Sequence, residues 1–234
     1  MPEATRYRIG DRVLFGAAYY PEYLDVDRVD DDLRLMAEAG FSLIRVGESV
    51  WSTWEPRDGE FELEWLRPTL DAAHAAGIAV VLGTPTYAVP PWLMVAHPEI
   101  ASEFRTGEPT PWGARQETDT SHPVFRRYAE RIIRTVVGHY ADHPAVVGFQ
   151  VDNEPGHQVP HNAHVFADFK RWLLARHGSV EVINDTWNLA HWAHRLTDID
   201  ELWIPDGNHV PQYDLDWRRF HALQTTEYLS LIHI

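Results

Sequence analysis

The sequence has no cysteine and a single lysine, Lys170. Without thiols there are no disulfides and no thiolate metal sites. Positive charge is scarce altogether: 20 Lys and Arg face 35 Asp and Glu, for a formal net charge of −15. A surface that acidic repels phosphate backbones and anionic lipid, so neither nucleic acid nor membrane is an expected partner. No apolar run approaches the roughly 18 residues that a membrane helix needs. Residues 1–12 are polar and mixed in charge, with no apolar signal segment. The expectation is a soluble, cytoplasmic protein.

What is present is enough apolar material for one substantial core, 44% of 234 residues. The 10 tryptophans suit a sugar-binding cleft, whose walls use indole faces, and equally suit plain core filling.

Along the chain, short apolar runs alternate with amphipathic stretches. Residues 13–20 (VLFGAAYY) read as a strand, and 25–39 as a helix with Val29, Leu33, Met36 and Ala37 on one face, stopped by Gly40. Residues 41–46 (FSLIRV) form the second strand and 64–76 the second helix, ended by Gly77. Residues 78–82 (IAVVL) are the third strand. A long segment rich in Pro and Trp, 85–122, precedes a helix over 123–140 and a fourth strand over 145–151 (AVVGFQV). Helices are predicted at 162–177, 180–190 and 216–228. Continuous apolar strands separated by helices make parallel βαβ units. A Gly-rich phosphate loop is missing after the first strand, where Tyr19-Tyr20-Pro21-Glu22 stands, so the nucleotide-binding open sheet is disfavoured.

Polar residues gather just past the strands: Tyr20 and Glu22, Arg45 and Glu48, Thr84, then Asp152, Asn153 and Glu154. Chemistry at the C-terminal ends of successive strands is the habit of a (β/α)8 barrel. About four βα units consume this chain, whereas a whole barrel takes about 250 residues and eight strands. The expected fold is therefore α/β, the first half of a TIM barrel, over residues 1–228. Residues 229–234 (LSLIHI) match a translated adapter of sequencing libraries, so the natural sequence is expected to end near Tyr228.

The sharpest motif is Asp152-Asn153-Glu154-Pro155. Glycoside hydrolysis needs a protonated carboxyl group beside the leaving oxygen, and an adjacent Asn can bind the sugar 2-hydroxyl. An Asn-Glu-Pro tripeptide can occur in any turn; at the end of an apolar fourth strand the catalytic reading prevails.

With these residues in view, the chain resembles glycoside hydrolase family 42 over nearly its whole length. The resemblance rests on Gly16-Ala17-Ala18-Tyr19-Tyr20-Pro21-Glu22, Ile44-Arg45-Val46-Gly47-Glu48 and Trp51-Ser52-Thr53-Trp54-Glu55-Pro56. It continues through Thr84-Pro85-Thr86-Tyr87, Pro90-Pro91-Trp92-Leu93, Gly113-Ala114-Arg115, Asp152-Asn153-Glu154, Trp172-Leu173 with Arg176-His177-Gly178, and Asn184 with Trp187 and Trp192. It implies a retaining β-galactosidase acting on terminal non-reducing galactosides, homo-oligomeric at full length. Glu154 resembles the acid/base, Asn153 its sugar-binding neighbour and Arg115 an arginine that grips a galactose hydroxyl. Trp192 resembles the tryptophan of a Phe-Trp-Ser motif, with His191 and Ala193 replacing its neighbours. Arg45 and Glu48 resemble a pair at the floor of the site, a role compatible with a plain buried ion pair. The family's nucleophile is a Glu after the seventh strand, so it is not expected in this chain; Glu22, Glu48 and Glu55 follow the wrong strands.

Some members carry a cysteine zinc cluster. Here Asp119 stands where one such cysteine would be, and His157, His161 and His164 follow Glu154. Three histidines at that spacing can bind a metal, but neutral loop histidines are commoner, so no metal or other cofactor is expected. Tyr87, Trp92, Phe104 and Trp112 are expected mainly to pack their long loop. The rival functions are an arabinopyranosidase, a β-mannanase-type retaining glycosidase, and a non-catalytic sugar-binding barrel.

Overall fold

The structure, a computed structural model, describes residues 13–24, 27–114, 117–156, 159–205 and 210–231. Four strands, β1 (Gly16–Ala18), β2 (Leu43–Val46), β3 (Ala79–Gly83) and β4 (Val146–Gln150), form one parallel sheet in sequential order. The helices are α1 (Val29–Glu38), α2 (Trp51–Trp54), α3 (Arg67–Ala75), α4 (Pro91–Ala96), α5 (Pro123–Tyr140), α6 (Ala163–His177), α7 (Val180–Thr186) and α8 (Pro211–Ser230). Among the described residues no helix is long and apolar enough to cross a membrane. The chain divides into two compact units, one of residues 1–96 and 127–153, the other of 97–126 and 154–234. They are called the sheet unit and the helical unit below.

In the sheet unit β2 and β3 are the interior strands, paired Leu43 to Ala79 through Val46 to Leu82. Ile44, Val46, Ala79, Val80 and Leu82 are buried, which is why these segments read as continuous apolar runs. β1 and β4 are the outer strands, and their side chains are exposed and half-buried respectively. α1 buries Leu33, and α3 buries Thr69, Leu70 and Ala73, the three- and four-residue spacing that puts side chains on one helical face. Trp51 and Trp54 of α2 are fully buried, with Trp54 packed on Trp65 at 4.8 Å and Tyr140 at 6.0 Å. At the exit of β3, Gly83 admits a close approach: a Cβ there would lie 2.6 Å from Glu48 Cβ and 2.7 Å from Glu48 Cα. Any side chain at this position would displace the backbone that carries Glu48.

The helical unit has its own core. α6 buries Val165, Phe169 and Leu173, one residue per turn, against Ile183, Trp187, Tyr213, Trp217 and Phe220. Phe169 lies parallel to Tyr213 at 5.7 Å and edge-on to Trp217 at 4.9 Å, two favourable ring arrangements. α6 ends at Gly178, whose φ of 88° is the left-handed conformation that a side chain resists. Ser179 then caps α7, its hydroxyl accepting from Val182 N at 3.3 Å.

Elements expected from sequence recur with shifted ends. The helix at 123–140 matches α5 in full. The strand expected at 13–20 pairs only over 16–18, and Val13 is 94% exposed. The helix expected at 180–190 stops at Thr186, because Asn188 takes φ 56° and breaks the turn. The helix expected from 216 begins five residues earlier, at Pro211, a residue suited to the first helical position. The expected first helix starts at 25, but residues 25–26 lie outside the described residues, as do 1–12. The tail expected at 229–234 is described only to Leu231.

Candidate active site

The C-terminal ends of the strands hold the polar residues that sequence picked out. In the sheet unit, Arg45 on β2 donates from Nη2 to Glu48 Oε1 at 2.7 Å and to the Tyr20 hydroxyl oxygen at 3.2 Å. The Tyr20 hydroxyl in turn donates to Glu48 Oε1 at 2.5 Å. Glu48 is buried, so the hydrogen bonds of this closed triangle replace those its carboxylate would make in water. Glu22, after β1, has both carboxylate oxygens buried; burial pushes its carboxyl up from the ordinary range, and the charge of Glu48 adds to that.

Past β4 the chain makes a tight turn at Asp152-Asn153-Glu154. Asp152 and Glu154 both take left-handed backbone conformations, φ 56° and 49°. Such a conformation is costly for a non-glycine residue and persists only where the surroundings impose it. The surroundings here are the residues after β3. Thr84 Oγ1 accepts from Asp152 N at 2.9 Å, and Thr86 Oγ1 donates to Asp152 Oδ2 at 2.9 Å. Asp152 Oδ1 then accepts from Asn153 N at 2.5 Å, and Asn153 Oδ1 accepts from Gln150 Nε2 at 3.1 Å. Asp152, Thr84 and Thr86 are all buried. Thr84 and Asp152 were expected at the strand ends without an assigned role; here, with Thr86, they hold the turn that delivers Asn153 and then Glu154. Glu154, the first residue of the helical unit's second stretch, is exposed to solvent.

The remaining sequence candidates lie in the helical unit or outside the description. Arg115 and His157 are outside the described residues. Trp192 is 79% exposed, with φ 57° in a short turn after α7. It lines a cavity of about 360 Å³ together with Trp187, His191 and Pro211. Of the loop aromatics, Trp92 does pack: its indole donates to the Glu55 carbonyl at 2.9 Å, whereas Phe104 and Trp112 are exposed.

Asp119, expected from the resemblance to stand in place of a cysteine, is buried and accepts from His164 Nε2 at 2.7 Å and from Ser121 N at 2.8 Å. Burial works to raise its carboxyl, but hydrogen bonds from His164 and Ser121 outweigh that and hold it below the ordinary range. His164 is raised by the hydrogen bond to Asp119. Among the described residues no three His, Asp or Glu are placed to hold a metal ion.

His221 on α8 gives the helical unit an acid limit. It packs edge-on against Trp217 at 4.3 Å, and burial, with His161 nearby, pushes its imidazole down to about 4. Between pH 6.5 and about 4 the unfolded chain therefore takes up a proton that the folded chain refuses. The stability that His221 retains at neutral pH is lost as pH falls through that window, on the order of 3 kcal/mol. His164, raised instead, gives its contribution below its ordinary value and loses it as pH rises, so the two oppose each other. Denaturant melts from pH 7 to 4.5 should show the loss in the parent and a flatter profile for His221→Phe. Equal slopes in the two proteins would rule out this role for His221.

Comparison with known proteins adds an independent line. A family model described as β-galactosidase, glycoside hydrolase family 42, matches residues 18–233. The β-galactosidase BbgII of Bifidobacterium bifidum is 36% identical over 222 residues, which cover 90% of this chain and 32% of that protein. A β-galactosidase of Thermus thermophilus is 36% identical over 224 residues, 93% of this chain and 35% of that one. Among solved structures, a cold-adapted β-galactosidase of a Rahnella species superposes with TM-score 0.88 at 34% identity, covering 94% of this chain and 33% of that one. A family 42 β-galactosidase of G. stearothermophilus gives 0.90 at 29% identity, covering 99% and 35%. The chain thus spans about a third of the length of these relatives. The structural likeness identifies the four parallel strands and their helices as βα units of a TIM barrel.

Proposed function

Because the chain belongs to glycoside hydrolase family 42, we propose that the protein carrying it is a retaining β-galactosidase, with Glu154 as acid/base. The observation that carries this reading is the Asp152–Glu154 turn, which contains two left-handed residues and is anchored at Asp152 by Thr84 and Thr86 at the C-terminal ends of barrel strands. A turn so constrained fixes where the Glu154 backbone starts, and positional constraint is what acid catalysis needs. Glu154 gives a proton to the leaving oxygen as a second carboxylate attacks the anomeric carbon. It then takes a proton from the water that releases galactose. Asn153 binds the sugar 2-hydroxyl, Arg45 and Glu48 form the floor, and Arg115 and Trp192 complete the sugar site.

The second carboxylate is none of the neighbouring glutamates. Glu55 is fully buried against Arg131, Glu48 is committed to Arg45 and Tyr20, and the Glu22 oxygens are buried. We assign the nucleophile to a part of the protein outside this chain. The substrate is a terminal galactoside, and the protein acts in the cytoplasm as a homo-oligomer. The acidic balance of the chain speaks against nucleic acid as a partner.

The test is to express the protein carrying this chain, supply an aryl β-galactoside, and follow the first-formed sugar by proton NMR. Release of the β-anomer is expected. Release of the α-anomer, turnover only of arabinopyranosides or mannosides, or no turnover would overturn the reading.

A further inference from the structure

The triangle of Tyr20, Arg45 and Glu48 contains one residue to which the proposed reaction gives no part. We propose that Tyr20 is a positioning residue: it fixes the Arg45 guanidinium so that its outward N–H groups meet a sugar oxygen. This rests on the galactosidase reading for the identity of the ligand, but not for the geometry.

Arg45 uses Nη2 for both of its hydrogen bonds, one to Glu48 and one to Tyr20. Among the described residues Nε and Nη1 make none, and the side chain remains 32% exposed. One edge of the fork is therefore anchored, while Nε and Nη1 keep their donors uncommitted among the described residues. A planar guanidinium held by one edge presents its remaining donors in a fixed direction.

Glu48 alone would not hold that pose. Its Oε1 carries the hydrogen bonds from Tyr20 and Arg45, while Oε2 is buried without a partner. Remove the phenol hydroxyl, and among the described residues the carboxylate is left with Arg45 as its only hydrogen-bond donor. The satisfied arrangement then open to it is a two-oxygen fork on Arg45, which draws the guanidinium down into the site. Tyr20 prevents this by occupying Oε1 from the other side and by accepting from Nη2.

Tyr20 is itself well fixed. Its ring stacks on Tyr23 at 5.1 Å with 12° between planes, and the Tyr19 N–H donates to the Arg45 carbonyl at 2.8 Å, tying the exit of β1 to β2. The hydrogen bond to Glu48 also raises the phenol above its ordinary range, so it stays a donor wherever the enzyme works.

Tyr20→Phe removes the hydroxyl and keeps the stacked ring. In the protein carrying this chain, KM for an aryl β-galactoside should rise roughly tenfold with kcat changed little, the mark of lost binding common to ground and transition states. In an Arg45→Lys background the same substitution should add nothing to KM, since Tyr20 acts through the guanidinium. Nitrogen-15 NMR of the Arg45 side chain supplies a readout that needs no turnover: separate Nη signals in the parent, averaged by free rotation in Tyr20→Phe. A parent inactive on galactosides would defeat the galactosidase reading and leave the NMR to decide the positioning claim. Unchanged Nη signals in Tyr20→Phe, or additive KM effects in the two backgrounds, would overturn it, even if the variant were less stable.

Discussion

Glu154→Gln in the protein carrying this chain should lower turnover of lactose-like substrates by ~10²–10⁴-fold, the usual worth of a positioned proton donor. Gln keeps the size and the amide oxygen but has no proton to give to a departing alkoxide. The effect corresponds to about 3–5 kcal/mol of transition-state stabilisation. Substrates whose leaving group departs as a stable phenolate need little assistance, so the first step should be spared for an activated aryl galactoside. The second step then limits, because water has lost its base. Added azide needs no base and should restore turnover, giving a galactosyl azide of retained configuration. The fold should not suffer, since Glu154 is exposed. Equal losses on both substrate classes, with no recovery in azide, would remove Glu154 from the acid/base role.

The support beneath that residue was only partly legible in the sequence. The Asn-Glu pair and its place after an apolar strand could be read, because strand period and turn residues are local signals. The role of Asp152 could not: its partners Thr84 and Thr86 stand 68 and 66 positions away, and only the pairing of β3 with β4 brings them together. The same holds for Gly83, which reads as the end of an apolar run but is needed as glycine because Glu48 lies against it. Strands were read too long at their outer ends, as at 13–15, where apolar residues continue past the last ladder partner. α2 was missed because four residues, Trp51–Trp54, are too short to show a helical period. Arg45 and Glu48 illustrate the limit from the other side. Their pairing was expected from the family resemblance, while the Tyr20 hydroxyl that joins them was not.

Glu55 is the clearest case of a residue whose purpose only the structure reveals, and it gives the largest stability effect expected here. It follows α2 and is fully buried. Trp51 Nε1 donates to its Oε2 at 2.9 Å, Gly59 N donates to Oε1 at 2.8 Å, and Arg131 of α5 pairs with Oε1. Arg131 also stacks over Tyr128 at 4.6 Å and reaches Asp58 at 2.8 Å. Asp58 is 56% exposed, so that second pair adds little. Arg131→Met keeps most of the apolar stem but strands the Glu55 carboxylate in the interior with no cation. Breaking a buried pair in this way costs about 3–5 kcal/mol. Glu55→Gln removes the charge instead. Its amide can satisfy only one of the two carboxylate positions, which costs about 1–3 kcal/mol for the donor left facing an NH₂ group. Arg131, 35% exposed, then turns to water and Asp58 at little expense. In the double variant no charge is left buried without its partner, so the combined loss should fall short of the sum of the single losses. Urea unfolding of the three variants and the parent decides the matter. A loss for Arg131→Met no larger than for Glu55→Gln, or strict additivity in the double variant, would show that this ion pair does not bind α5 to the segment after α2.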